Sequence, residues 1–298
     1  MRELASAEKV RAVPVSHGGS LDPFAEGLLL VLVGQATRFL DLFHAVPKTY
    51  VAEVCWGIET DSGDPLGTPV AEGDASGLTA AALDAALAGF IGWTDQVPPT
   101  TSAKKVEGEP AYARVHRGES VALPPSRVYL HRARWLKHDP GSAQPELNPR
   151  SVQPERSRGP SQPPRTSRLE LECRGGFYVR ALARDLGRKL GVPAHLKRLS
   201  RTHIGPWRDP GPEGHVEVPG TQLLPWCSSR TVTPEELRSL RRGRPIARGA
   251  LMGPAWKCPD GFPDPEGPVR AYLDGALVAL LDLRDHQLRL DLELRPGL

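Results

Sequence analysis

Apolar and polar positions alternate from Lys48 to Ile58, with Tyr50, Ala52, Val54, Trp56 and Ile58 on one side and Val51, Glu53, Cys55 and Gly57 on the other. A period of two predicts a strand. Leu28 to Val33, closed by Gly34, is short and uniformly apolar, the pattern of a strand buried on both faces. The period lengthens after Thr79, a candidate N-cap, where Leu83, Leu87 and Phe90 share one helical face until Pro98-Pro99 ends the region. Val128 to Lys137 predicts a further strand, partnered by Leu169 to Cys173. Between these two strands, Asp139 to Ser167 is rich in Pro, Ser, Gln and Arg and almost devoid of apolar side chains. Such a segment buries too little surface to offset the entropy of ordering it, so it reads as a disordered insertion within a domain. Val179, Leu182, Ala183, Leu186 and Leu190 then mark one face of a helix.

A boundary is expected near Gly220 to Arg230. Beyond it, Thr233-Pro234-Glu235-Glu236 has the form of a capping box with proline in the first turn, and Gly243 is the stop. Val269 to Leu273, Ala276 to Leu283 and Gln287 to Leu292 read as short strands separated by Asp274-Gly275 and Asp285-His286. The pattern predicts an α+β chain with a large domain over 1–225, containing the insertion at 139–167, and a small, mainly β domain over 226–298.

With 298 residues, the chain is long enough for both cores. Its formal net charge of +3 is too mild to identify a nucleic-acid partner by itself, so the distribution of charge decides. Cys55, Cys173, Cys227 and Cys258 are scattered without a C-x-x-C pair, which argues against a zinc knuckle or a disulfide framework and fits a reducing cytoplasm. No stretch approaches the ~18 apolar residues that a membrane span needs, and the first residues lack the apolar core of a signal peptide.

Two segments carry candidate chemistry. In His17-Gly18-Gly19-Ser20-Leu21-Asp22-Pro23-Phe24-Ala25, one carboxylate sits between a Gly-Gly turn and a proline. Asp before Pro is a common helix entry, so Asp22 reads as a cap or as a carboxylate presented to a substrate. In the second segment, Arg180, Arg184 and Arg188 recur every four residues beside the apolar helix face, and Phe177 to Arg208 holds eight Lys or Arg against one acid. That stripe is either a solvated surface or a track for phosphates. Asp61-Ser62-Gly63-Asp64 is a polar turn, and Gly63 and Pro65 at ligand positions exclude a calcium loop.

The block around Asp22 resembles the active-site motif of TruB-type tRNA pseudouridine synthases, roughly Gly-His-(Thr/Gly)-Gly-(Thr/Ser/Ala)-Leu-Asp-Pro-x-Ala-x-Gly. Four further blocks resemble family segments in the same order. These are Lys48-Thr49-Tyr50; Ser102-Ala103-Lys104-Lys105 with Gly108 and Tyr112; Arg174 to Arg180, before Asp185-Leu186-Gly187; and His195 to Arg201. The resemblance implies that Asp22 is the nucleophile and that Arg180 pairs with it and keeps it ionised in an otherwise apolar site. It further implies that Tyr50 stacks on the target base and that Tyr178 and Leu199 line the uridine pocket. Lys105 would lie near uridine and tRNA, and His17 would enter the space that the flipped uridine vacates. Base extrusion is the expected route, because the glycosidic bond is unreachable inside a folded T loop. The segment from Arg241-Arg242-Gly243-Arg244-Pro245-Ile246 onward resembles the PUA-like RNA-binding domain that closes many bacterial members.

The implied fold is the pseudouridine synthase fold, a large mainly antiparallel sheet flanked by helices, followed by the PUA-like domain. The implied activity is isomerisation of uridine 55 in the T arm of tRNA by a cytoplasmic monomer, with no metal and no organic cofactor. A non-catalytic tRNA-binding or tRNA-folding protein of the same fold is the alternative. Its support is that none of the sixteen residues before His17 match the Leu-Asp-Lys-Pro-x-Gly-x-(Ser/Thr) motif with which family members open, and that Met1 to Val13 lack the strand. A start codon placed too late is the expected explanation.

Overall fold

The fold is described from a computed structural model, which covers residues 13–294 apart from 103, 107, 112–113, 115–116, 118, 120, 140–164, 213, 264 and 266. The chain divides into two compact units that interleave along the sequence. One comprises Leu21–Gly27 and Lys48–His203; the other comprises the segment up to Ser20, Leu28–Pro47 and the chain from Ile204 onward.

The first unit is built on a sheet in the order Ala194–Ile204, Lys48–Trp56, Arg165–Cys173, Ser126–Asp139, Gly92–Gln96. The last three junctions are antiparallel, and the short strand Glu26–Gly27 adds in parallel to Ser200 and Arg201. The alternation is realised over Lys48–Trp56, where Ala52, Val54 and Trp56 enter one buried cluster and Tyr50 packs at its margin. Ile58, expected on the same strand, instead opens a separate strand, Ile58–Thr60, after Gly57 at φ +94°. The helices Ala80–Ala88 and Val179–Leu190 cover that face with Leu83, Leu87, Val179, Leu182 and Leu186. Thr79 caps the first, its Oγ1 accepting from the Ala82 amide at 3.2 Å. Gly27 has φ +98°, and a Cβ there would lie 2.4 Å from the Arg201 carbonyl oxygen, so only glycine permits this parallel pairing.

Two expectations are corrected here. Asp139 and Arg165–Ser167, read as parts of a disordered insertion, are the ends of paired strands, because Asp139 faces Thr166 and His138 faces Ser167 across the antiparallel ladder. The rest of that insertion, 140–164, lies outside the described residues. Asp22 caps no helix: its carbonyl accepts from the Ala25 amide at 2.9 Å in a turn that leads into Glu26–Gly27.

In the second unit, the apolar run Leu28 to Val33 is a strand only over Val31–Val33, paired with Val15–His17. Leu32 is buried, whereas Val31 and Val33 are 40% and 54% exposed. The uniform apolar run concealed a period-two strand in a two-stranded sheet, with one face covered. Leu32 joins Phe39 and Phe43, from the 3-10 run Gly34–His44, in a cluster with Leu223, Leu224, Trp226 and Leu280. The C-terminal part of this unit forms the expected β-rich sheet, in the order Ser229–Thr231, Val269–Leu273, Ala276–Arg284, Gln287–Glu293, Ile246–Ala247. Both tight turns are as written in the sequence. Asp274, Gly275, Asp285 and His286 all have positive φ, as two-residue hairpins with the right strand twist require. The helix Pro234–Arg241 opens with the complete Thr233–Glu236 capping box.

Candidate active site

The site lies within the first unit and centres on a guanidinium. Arg180 stands on the second residue of the helix Val179–Leu190, immediately after Tyr178, the N-cap residue, which supplies no side-chain capping bond. Gln96 fixes that entry instead: its Nε2 donates to the Tyr178 carbonyl at 3.1 Å, and its Oε1 accepts from the Tyr178 amide at 2.9 Å. The end of the sheet strand Gly92–Gln96 therefore sets where Tyr178 and Arg180 begin.

Arg180 donates from Nε and Nη2 to the two carboxylate oxygens of Asp22, at 3.0 and 2.7 Å. This fork-on-carboxylate geometry fixes direction as well as distance. Its remaining nitrogen, Nη1, donates to Asp64 Oδ2 at 3.0 Å, to the Ser62 carbonyl at 3.0 Å and to Thr101 Oγ1 at 2.7 Å. The Arg180 and Asp64 side chains are 4% and 6% exposed, whereas that of Asp22 is 31% exposed. The guanidinium is thus locked from behind by one buried carboxylate and offers the other face to a carboxylate that solvent or a substrate can reach. Asp64 is held in turn, Oδ1 accepting from Ser62 Oγ at 2.7 Å and from the Leu66 amide at 3.0 Å.

Tyr50 lies within electrostatic reach of Asp22. Burial raises its phenol well above the ordinary range, with the Asp22 charge adding to the effect and a hydrogen bond with Arg201 opposing it. The ring is therefore a neutral, flat, largely buried surface beside the carboxylate. Tyr178 is shifted the same way, chiefly by burial. Lys48 and Arg201, the latter hydrogen-bonded to Tyr50, are 4% and 1% exposed. Burial lowers the Lys48 ammonium to about 8, and the Arg201 charge contributes. Leu199 is buried in the cluster against which Phe24, Tyr50 and Phe177 pack.

Of the residues singled out in the sequence, Asp22, Tyr50, Tyr178, Arg180 and Leu199 are thereby gathered in one unit. Lys105 falls in a two-residue strand, Lys105–Val106, paired with Glu109–Pro110; Tyr112 lies outside the described residues. His17 belongs to the other unit, at the end of Val15–His17, with its Nδ1 buried and without a hydrogen-bond partner among the described residues. The arginine stripe is corrected. Arg180 is buried in the site, and Arg184 is committed to Asp185 at 2.9 Å and to the Val97 carbonyl at 2.9 Å. Only Arg188, 3.8 Å from Glu59, keeps a largely exposed side chain. Asp64, Thr101, Gln96 and Arg201 were not identified from the sequence as site residues. Among the described residues, no group of three or more His, Cys, Asp or Glu side chains is placed to hold a metal ion. Among the same residues, no helix is long and apolar enough to cross a membrane.

Residues 7–179 match the TruB family pseudouridylate synthase N-terminal domain. A tRNA pseudouridine synthase B from Arthrobacter sp. (strain FB24) is 35% identical over 290 residues, covering 94% of this chain and 86% of that protein. Another, from Symbiobacterium thermophilum, is 41% identical over 191 residues, 64% of this chain and 57% of that protein. A third, from Xanthomonas campestris pv. campestris (strain 8004), is 38% identical over 206 residues, 69% of this chain and 59% of that protein. The fold is similar to a chain in a Cbf5-Nop10-Gar1 complex, with TM-score 0.55, 17% identity, and coverage of 94% of this chain and 76% of that one. It is also similar to a chain of an H/ACA RNP bound to a substrate RNA containing 2′-deoxyuridine, with TM-score 0.54, 15% identity, and coverage of 95% and 77%.

Proposed function

From the premise that the chain belongs to the TruB family of pseudouridine synthases, we propose that it isomerises uridine 55 in the T arm of tRNA, with Asp22 as the nucleophile. Residues 1–225 act as the catalytic domain and 226–298 as a PUA-like RNA-binding domain. The protein works as a cytoplasmic monomer.

The observation that carries this reading is the Arg180 fork on Asp22, at 3.0 and 2.7 Å, with Asp64 behind it. A carboxylate attacks only when ionised, and a buried guanidinium supplies the counter-charge without taking up the exposed side of Asp22. The target nucleotide swings out of the T loop and its base lies against Tyr50, whose neutral ring offers a stacking face. Tyr178 and Leu199 close the pocket, His17 fills the space left in the loop, and Lys105 contacts the RNA. Asp22 attacks the extruded nucleoside, the bond between ribose carbon 1′ and base nitrogen 1 breaks, and the bond to Asp22 is itself broken before product leaves, which returns the free carboxylate. The base turns, and carbon 5 bonds to carbon 1′. Carbon 5 loses its proton and nitrogen 1 gains one, so substrate and product are isomers, and this chemistry calls for no redox partner. A purely RNA-binding role would require none of this enclosed carboxylate–guanidinium arrangement.

The test is to incubate the purified protein with an unmodified tRNA transcript and map pseudouridines by sequencing after carbodiimide treatment. Conversion at position 55 is expected. A T loop that remains uridine, in a transcript that binds, overturns the substrate assignment.

A further inference from the structure

The sheet that carries the site has a second face, opposite the helices, and at one edge that face is aromatic. Gly92–Gln96 is the last strand in the sheet order, and Trp93 on it stands directly across from Tyr129. Their ring centroids are 5.1 Å apart at an interplanar angle of 50°. On the other side of Tyr129, the register steps from Leu130 facing Cys173 to Arg132 facing Glu172, leaving His131 as an extra residue in a β-bulge. A bulge re-aims a side chain, and here it brings the His131 ring within 6.2 Å of Tyr129, tilted by only 32°. Leu130, between them in sequence, is fully buried in the core cluster, so the three rings lie on the face turned away from it.

Trp93 is 45% exposed; Ile91 and Val97, which flank the strand, are 43% and 42% exposed, with the exposed Asp95 between Trp93 and Val97. The exposed indole beside Tyr129 and His131 makes this edge an aromatic patch. Cations border it. Arg127 faces Asp95 across the two strands at a loose 3.7 Å, and Arg132, paired with Glu172 at 2.7 Å, keeps a side chain that is 71% exposed. The same short strand carries Gln96, which holds Tyr178 at the candidate site. At about 3.3 Å per residue, Trp93 lies roughly 10 Å from Gln96 along the strand, its side chain on the opposite face.

We propose that Trp93, Tyr129 and His131 form a stacking platform for unpaired nucleobases of the RNA substrate, with Arg127 placed for a neighbouring phosphate. The proposal rests on the reading of the site as one that acts on RNA. Flat rings with guanidinium groups at their border are what splayed bases require, and every base has a face to offer. A paired duplex would present only its backbone to such a surface.

Two measurements test this. Replacing Trp93 or Tyr129 by alanine should weaken tRNA binding about 5- to 150-fold, the range for losing one stacked base, whereas Trp93→Phe, which keeps a ring, should stay within about threefold. In a turnover assay, the Trp93→Ala protein should need a correspondingly higher tRNA concentration to reach half its maximal rate. That separates the platform from the site, since failure of the Asp22 assignment would leave binding intact and change only product formation. The second measurement uses the unaltered protein: hydroxyl-radical footprinting should show that tRNA protects Trp93 from oxidation. Alanine variants that bind as the parent does, or a Trp93 equally oxidised with and without tRNA, overturn the proposal and leave the face to a protein partner.

Discussion

Removing Asp64 should unlock the site from behind. Its Oδ2 lies 3.0 Å from Arg180 Nη1, and Oδ1 accepts from Ser62 Oγ and the Leu66 amide. Both charged side chains are almost fully buried, at 6% and 4% exposure, so solvent does not substitute for the lost partner. Stripping one member from a buried pair costs about 3–5 kcal/mol, because the other charge stays buried without its counter-ion. Arg180 retains Asp22, the Ser62 carbonyl and Thr101, which places Asp64→Ala nearer the lower end of that range. Asp64→Asn keeps the shape and an acceptor oxygen, and should cost about 1.5–3 kcal/mol, the scale of a hydrogen bond to a charged group. The same change frees the guanidinium to shift relative to Asp22. Displacement of a reacting group by an ångström costs on the order of 100-fold in rate, so the alanine variant should turn over about 100-fold more slowly while its tRNA affinity holds. Urea unfolding and a single-turnover assay of pseudouridine formation read the two effects. An Asp64→Ala protein that unfolds within about 1 kcal/mol of the parent and reacts at the parent rate refutes the role given to this pair.

Lys48 makes stability depend on alkaline pH. Burial lowers its folded-state value to about 8, against 10.5 for the free side chain, so the unfolded chain binds the extra proton between these values and stability rises with pH across that window. Relative to Lys48→Met, the parent should gain roughly 3 kcal/mol between pH 8 and 10.5, at about 1.36 kcal/mol per pH unit; parallel urea-unfolding curves for the two proteins exclude this. Thr79→Ala removes the 3.2 Å cap on the Ala82 amide and should cost about 1 kcal/mol in the same assay, with product formation unchanged.

What the sequence revealed follows from how local each cause is. The alternation of Lys48 to Trp56, the Thr79 and Thr233 caps, and the Asp274-Gly275 and Asp285-His286 turns depend on neighbours within a few residues, and each is found where the pattern places it. Asp22, Tyr50, Tyr178 and Arg180 came from the order of motif blocks, since nothing local ties residue 22 to residue 180. Asp64 was out of reach for the same reason: its polar turn was visible, but its partner stands 116 residues away. The arginines of the helix show the limit of periodicity. Spacing set Arg180, Arg184 and Arg188 on one stripe, yet burial turned the first into the core of the site and hydrogen bonding committed the second. Leu28 to Val33 failed in the opposite direction, because an all-apolar run does not reveal which of its faces is covered.

The most direct measurement replaces Asp22 with asparagine, which keeps the volume and an acceptor oxygen for Arg180 but has no nucleophilic carboxylate. With enzyme in excess over tRNA, the expected outcome is a dissociation constant within about threefold of the parent and loss of pseudouridine formation by on the order of 10⁴-fold or more. Product appearing within tenfold of the parent rate would contradict the assignment of Asp22 as the attacking group.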